Sequence, residues 1–286
     1  MYNGIRSIDH PLIAVADMQQ SRVVYERLGF TIPPRGSHIE WGTGNWCIMF
    51  EHDYLELRGI LDAQRETLGL EQILATYGEG LAGVAFGTEG AEISFQKLND
   101  NQIMPKPVRY LTRNFEVAEQ WLQPKFALCF VPEQDIRGLT HVVLCEHLTP
   151  ELMRKPEYLR HANDAQAVLG MTGIVDDLDA VQRVQQRLLG KDAVHRDEHV
   201  LTLNLPSGQF IRLMHAADYD RAYPKLGRKA LTRPEYLVSI HLQVGDIHKT
   251  QRALDAQQIL YTHDVENSVW VAAQDACGVM IEFKQL

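Results

Sequence analysis

Ile8-Asp9-His10-Pro11-Leu12-Ile13-Ala14-Val15 and Tyr54-Leu55-Glu56-Leu57 open and close the stretch whose reading decides the fold. Both segments read as strands, and each sets an ionisable side chain in an apolar run. A polar or charged group taken out of water without a partner costs a few kcal/mol, so His10 and Glu56 each call for one. Between them the pattern predicts a helix over 18–28, with Val24 and Leu28 at helical spacing and Gly29 as its stop. Strand-like runs follow near 31–39 and 46–51. The unit is therefore βαβββ, with ionisable residues on its first and last strands. That placement suits a metal site on the open face of a curved sheet.

The pattern recurs. A second unit opens at 81–87, has a helix near 91–98 and closes with strands at 125–131 and 140–147. A third opens at 168–175, with a helix at 178–189 and strands at 199–205 and 209–215. A fourth has a strand at 237–244, a helix at 247–257 and strands at 269–273 and 279–284. One half-buried sheet is not expected to stand alone, so the units should pair. The expected fold is α+β: four βαβββ modules in two cupped mixed-sheet domains. Residues 1–148 form the first, 149–167 connect, and 168–286 form the second.

The chain has 286 residues, a formal charge of -9, 45% hydrophobic residues and 23% charged residues. That is an ordinary globular composition. A nucleic-acid partner is not expected, because binding a duplex relies on clustered Lys and Arg and no such run exists. No apolar run approaches the ~20 residues that span a bilayer, and the N-terminus lacks an apolar signal core, so a cytoplasmic protein without a membrane partner is expected. Cys47, Cys129, Cys145 and Cys277 show no CxxC spacing and read as buried thiols. Phosphate-loop, GxSxG, HExxH and dinucleotide motifs are all missing.

Several residues together carry a resemblance: Asp9-His10, Asp17, Tyr25 with Leu28-Gly29-Phe30, Gly36-Ser37-His38, Trp41-Gly42-Thr43-Gly44-Asn45, and Tyr54-Leu55-Glu56-Leu57. With them the chain resembles the vicinal oxygen chelate superfamily, most closely its glyoxalase-like branch. The resemblance is dense over about the first sixty residues and one of pattern beyond. It implies paired modules whose concave face holds a divalent metal, with His10 and Glu56 as ligands.

Imidazole plus carboxylate suits Fe, Mn, Zn or Ni. A third ligand should come from the paired module, but its opening strand, 81–86, offers none. Its closing strand ends Leu144-Cys145-Glu146-His147. Alternation lets one of the last two side chains point inward, and His147 is preferred because Cys145 shares its face. The expected metal set is His10, Glu56 and His147, with Glu146 or His38 as the base and His38, Trp41, Asn45 and Arg58 contacting substrate. Plainer readings stand beside these. An Arg58–Glu56 ion pair explains the carboxylate without metal, and His147 can be a polar strand end. His38, Trp41 and Asn45 can simply shape a Gly-rich connection. Residues 146–161 read either as a cover over the cup or as a solvated linker.

The second half offers Glu282 and His241, yet 168–175 contains no histidine, and Arg212 stands where its unit would carry a carboxylate. That half is expected to be structural or dimer-forming, with an Arg212–Glu282 pair. The leading expectation is a metal-dependent lyase or isomerase acting on a small oxygen-rich substrate. The alternatives are a binding protein that sequesters an aromatic or drug-like molecule, and an Fe(II) extradiol dioxygenase using the second half. The expected partners are a small-molecule substrate and a second copy in a homodimer.

Overall fold

The computed structural model describes residues 2–117, 120–224, 226, 231, 234–263 and 267–286. The first module comprises β1 (Ile5–Ala14), α1 (Met18–Arg27), β2 (Gly36–His38), β3 (Thr43–Met49) and β4 (Tyr54–Ile60). After α2 (Leu70–Tyr77) the second comprises β5 (Gly80–Thr88), α3 (Ala91–Asp100), β6 (Arg109–Val117), β7 (Gln120–Leu122), β8 (Lys125–Phe130) and β9 (Val142–His147). The third comprises β10 (Ala165–Ile174), α4 (Leu178–Leu189), β11 (Val194–Arg196), β12 (Val200–Asn204) and β13 (Phe210–Met214). Following α5 (Ala216–Ala222), the fourth has β14 (Tyr236–Val244), α6 (Ile247–Ala256), β15 (Tyr261–His263), β16 (Ser268–Val271) and β17 (Met280–Gln285).

Three helices begin the same way for the same reason. Asp17, Asp177 and Asp246 each occupy the N-cap, and their carboxylates accept from the backbone N–H of Gln20, Ala180 and His248. Each thereby satisfies one of the donors a helix start leaves without an intrahelical partner. Helix α3 departs from the pattern. Its N-cap is Gly90, which has no side chain to offer.

Within each half, the opening strands of the two modules pair antiparallel, β1 with β5 and β10 with β14, and each opening strand pairs parallel with its own module's closing strand. The first sheet runs β2-β3-β4-β1-β5-β9-β8-β6-β7, and β2 also pairs with β6, so it closes into a deep cup. The second runs β11-β12-β13-β10-β14-β17-β16-β15. A slip in the β1–β5 register between Ile8 and His10 makes Asp9 an extra residue, a bulge that re-aims adjacent side chains.

One large apolar core lies on the helix-bearing faces and includes residues of both halves. Its polar seam is Gln209, whose amide bonds both backbone groups of Ile8, the carbonyl of Val168 and the carboxylate of Asp53. The concave face of the first sheet holds a second cluster, including Trp41, Cys47, Tyr54, Phe126, Val143 and Cys145. In the segment 146–161, read either as a cover or as a solvated linker, part of the chain packs over it. Met153 is buried in that cluster with Tyr158 and Leu159 against it, and the Arg154 guanidinium donates to the carbonyls of Glu51 and His52. His161 accepts from Thr31 N and donates to Met49 O. No described helix is long and apolar enough to cross a membrane.

Candidate metal centre and substrate cup

The first cup gathers charge where a plain core would have none. Asp9, His10, His38, Glu56 and Arg113 are all buried on it. Because of the bulge, Asp9 and His10 both contribute to the cup, although they are adjacent in sequence. One oxygen of Asp9 accepts from His10 Nδ1 at 2.7 Å and from His147 Nε2 at 3.0 Å. Burial pushes the Asp9 carboxyl up, but His147 and His10 outweigh it and hold the group well below the usual carboxylate range. With Nδ1 of His10 held by Asp9, its Nε2 is turned toward Glu56 Oε2 at 3.7 Å, and its ring stacks on Tyr54 with centroids 4.2 Å apart.

Glu56 answers to Arg113, not to Arg58. Arg113 Nη2 lies 3.4 Å from Glu56 Oε1, both side chains are 4% exposed, and Asn45 Nδ2 donates to the same oxygen. Burial raises the Glu56 carboxyl, but His10, Arg113, Arg58 and His38 bring it down to about 2. Arg113 also donates to Cys47 Sγ at 3.0 Å. The alternative of an Arg58–Glu56 pair is therefore replaced by a partner from the second module. β6 was missing from the sequence reading, yet Leu111, Arg113 and Phe115 are buried at every second position of it.

Other expected residues separate. His38 and Trp41 line the cup's cavity of about 40 Å³, which also touches His10, Glu56, Arg58 and Arg113. His38 Nδ1 faces the hydroxyl and carbonyl of Thr43, and burial together with Arg113 lowers its pKa to about 3. It is a neutral ring and a weak base. Asn45 was expected to contact substrate. It lies instead behind the cavity, fully buried, with its amide used on Glu56 and facing His38 Nε2 at 3.4 Å. Glu146 was expected as a base but is turned to the helix side, where its carboxylate accepts from Ala91 N at 2.8 Å and supplies the cap that Gly90 cannot.

The expected ligands His10, Glu56 and His147 share the cup but not a common point. Among the described residues, the metal-ligating atoms that fall within 4.8 Å of one another are those of Asp9, Cys145 and His147. His147 Nδ1 is buried with no hydrogen-bond partner. A carboxylate, an imidazole and a thiol are donor types that hold a divalent ion; a shared ion would take the place of the Asp9–His147 Nε2 hydrogen bond and of the proton on Cys145, whose thiol burial pushes well above its ordinary value.

The second cup is arranged differently. His241 Nδ1 hydrogen-bonds Glu282, its Nε2 lies 2.7 Å from the Thr172 hydroxyl, and Tyr219 of α5 is fully buried over the same face. The expected Arg212–Glu282 pair does not form. Arg212 is exposed and lies over Phe210, 4.3 Å from its ring centre.

The family model of the glyoxalase-like domain matches residues 8–189, more than half of the chain. The chain belongs to the glyoxalase-like family. It thus falls within the vicinal oxygen chelate superfamily, whose members commonly bind a divalent metal. No curated protein sequence matches it. Among solved structures, a hypothetical protein from Staphylococcus aureus is 13% identical with a TM-score of 0.67, over 98% of this chain and 99% of that one. A mutant of 4-hydroxymandelate synthase from Streptomyces coelicolor is 11% identical with a TM-score of 0.65, over 99% and 93%. A fusion of a xylose isomerase-like TIM barrel with a 4-hydroxyphenylpyruvate dioxygenase is 12% identical with a TM-score of 0.57, over 98% of this chain and 48% of that one. At these identities the structures speak for the glyoxalase/dioxygenase-like fold alone.

Proposed function

We propose that the first cup is the active site of a metal-dependent glyoxalase-like enzyme, of lyase or isomerase type, acting on a small oxygen-bearing organic molecule. The observation that carries this is the Asp9–Cys145–His147 donor cluster beside the Asp9–His10 pair, at a cavity walled by buried charge. Asp9, Cys145 and His147 would hold the metal, and a thiol beside an imidazole favours Zn(II) or Fe(II) over harder ions. A divalent ion there supplies Lewis-acid polarisation of a substrate oxygen. The chain's own groups supply the rest. Asp9 fixes the His10 tautomer so that Nε2 is presented to the cup as a proton acceptor, the arrangement a general base requires. Arg113 provides fixed positive charge that needs no reorganisation as an oxyanion develops. Glu56, held ionised and hydrogen-bonded, orients Arg113 and Asn45.

The aromatic wall of Trp41, Phe126 and Phe130 favours a second reading, a binding protein that sequesters a flat ligand. Metal analysis of protein purified without added metal, then reloaded with Zn(II), separates the two. On the enzyme reading, Asp9→Asn, Cys145→Ser and His147→Ala each lose most of the metal, while Glu282→Gln keeps it. A parent that takes up none, or four variants alike, leaves the binding-protein reading standing.

A further inference from the structure

We infer that Arg58 is the anion-recognising residue of the first cup and that its ligand is a small monocarboxylate with a flat apolar body. The inference rests on the reading of this cup as a ligand site and names the class of ligand. Arg58 lines the cavity described above and also an adjoining one, with about 20 Å³ of room, walled by Leu12, Leu68, Leu70, Ile73 and Ala82. Its Nε and Nη2 are shielded from solvent and have no hydrogen-bond partner.

That is an unusual state for a guanidinium, because shielded N–H groups left without an acceptor cost the fold their hydration. The neighbouring Glu56 attracts the charge through space but accepts no hydrogen bond from it, its Oε1 being taken by Arg113 and Asn45. Trp41 lies 5.9 Å from the guanidinium carbon and offers its ring face, a contact that leaves the N–H edge unused. The two orphaned donors are Nε and Nη2, which lie along one edge of the planar group. Their N–H bonds run parallel, and that edge matches the two oxygens of a carboxylate. His141, which lines both cavities, is held neutral, its pKa lowered to about 4 by burial and by Arg58, so it adds no competing charge. A carboxylate on Arg58 places the rest of its molecule against leucine side chains on one side or Trp41 and Phe130 on the other.

Benzoate and benzamide test this, being alike in shape and different in charge. Each is titrated calorimetrically into metal-stripped and zinc-loaded protein. Benzoate should bind the parent in both forms, at least about tenfold more tightly than benzamide. Arg58→Met should abolish that preference without weakening benzamide. Arg58→Lys, which keeps charge but not the two-donor edge, should fall between. Equal affinities in the parent, no benzoate binding, or an unchanged preference in Arg58→Met overturns the inference. Benzoate that binds only zinc-loaded protein and ignores Arg58 overturns it while leaving the metal reading intact. Arg58-dependent binding by a parent that takes up no metal supports it while the enzyme reading fails.

Discussion

Replacing the two arginines of the first cup by methionine should have very unequal consequences for stability, although both face Glu56. In Arg113→Met, Glu56 keeps its burial and loses the guanidinium 3.4 Å away. Breaking a buried pair by removing one partner costs roughly 3–5 kcal/mol. An independent figure comes from linkage. Glu56 falls from 4.5 to about 2 on folding, which at 1.36 kcal/mol per pKa unit is roughly 3 kcal/mol shared among its partners. At about 2–4 °C per kcal/mol, the melting temperature should drop by about 10 °C. In Arg58→Met, no hydrogen bond is broken, two shielded N–H groups without acceptors disappear, and only the through-space attraction to Glu56 is lost, so stability should change far less. Urea unfolding at pH 7 measures both. The deficit of Arg113→Met should shrink toward pH 4, where protonation removes the stranded charge, and Glu56→Gln in the same chain should recover part of it. The reasoning is refuted if Arg58→Met loses as much as Arg113→Met, or if Arg113→Met is silent.

Burial lowers His38 to about 3, and His141 and His161 to about 4, from 6.5. The unfolded chain then binds more protons between pH 6.5 and 4, so stability must fall as pH drops through that window, and His161→Gln should flatten the slope in urea midpoints. Asp53 has the opposite sign. Burial raises it from 3.8 to about 7, so it favours the fold less as pH rises across that interval, and Asp53→Asn should gain on the parent between pH 4 and 7.5 in thermal melts. Glu146→Gln should leave metal content unchanged and cost about 1 kcal/mol through the weakened cap on α3, read by urea unfolding.

The modules were legible because their signals are local. Asp17 and Asp177 stand immediately before apolar-periodic runs and cap the helices predicted there, and the four opening strands are apolar enough to show themselves. Where the chemistry depends on tertiary placement, sequence reasoning failed. Strict alternation sends Asp9 to the face opposite His10, and only the bulge against β5 brings both into the cup. β6 escaped notice because its outward positions, Tyr110, Thr112 and Asn114, are polar or amphipathic and its central inward one is Arg113. That arginine reads as a solvated side chain until Glu56 is known to face it. One clue to Glu146 was available. Gly90 before α3 leaves a helix start without a side-chain cap, so an acceptor had to come from elsewhere.

The contrast between the two cups shows how one fold sets an imidazole and a carboxylate against each other in two ways. In the second, β14 and β17 pair with His241 directly opposite Glu282, so imidazole and carboxylate meet in a hydrogen bond, and Thr172 takes the other nitrogen. Both ring nitrogens of His241 are used, and α5 lies over the result. In the first, β1 and β4 pair with Leu12 opposite Glu56, which leaves His10 two residues along the strand and its Nε2 3.7 Å from the carboxylate. That diagonal offset is too long for a hydrogen bond. It frees His10 to be oriented by Asp9 and Glu56 to be claimed by Arg113, beside an unused ring nitrogen of His147 and two unused N–H groups of Arg58. Buried capacity left unmet is costly. At His147 and Arg58 it lies beside the metal-ligating cluster and the cavity, where a ligand would complete it.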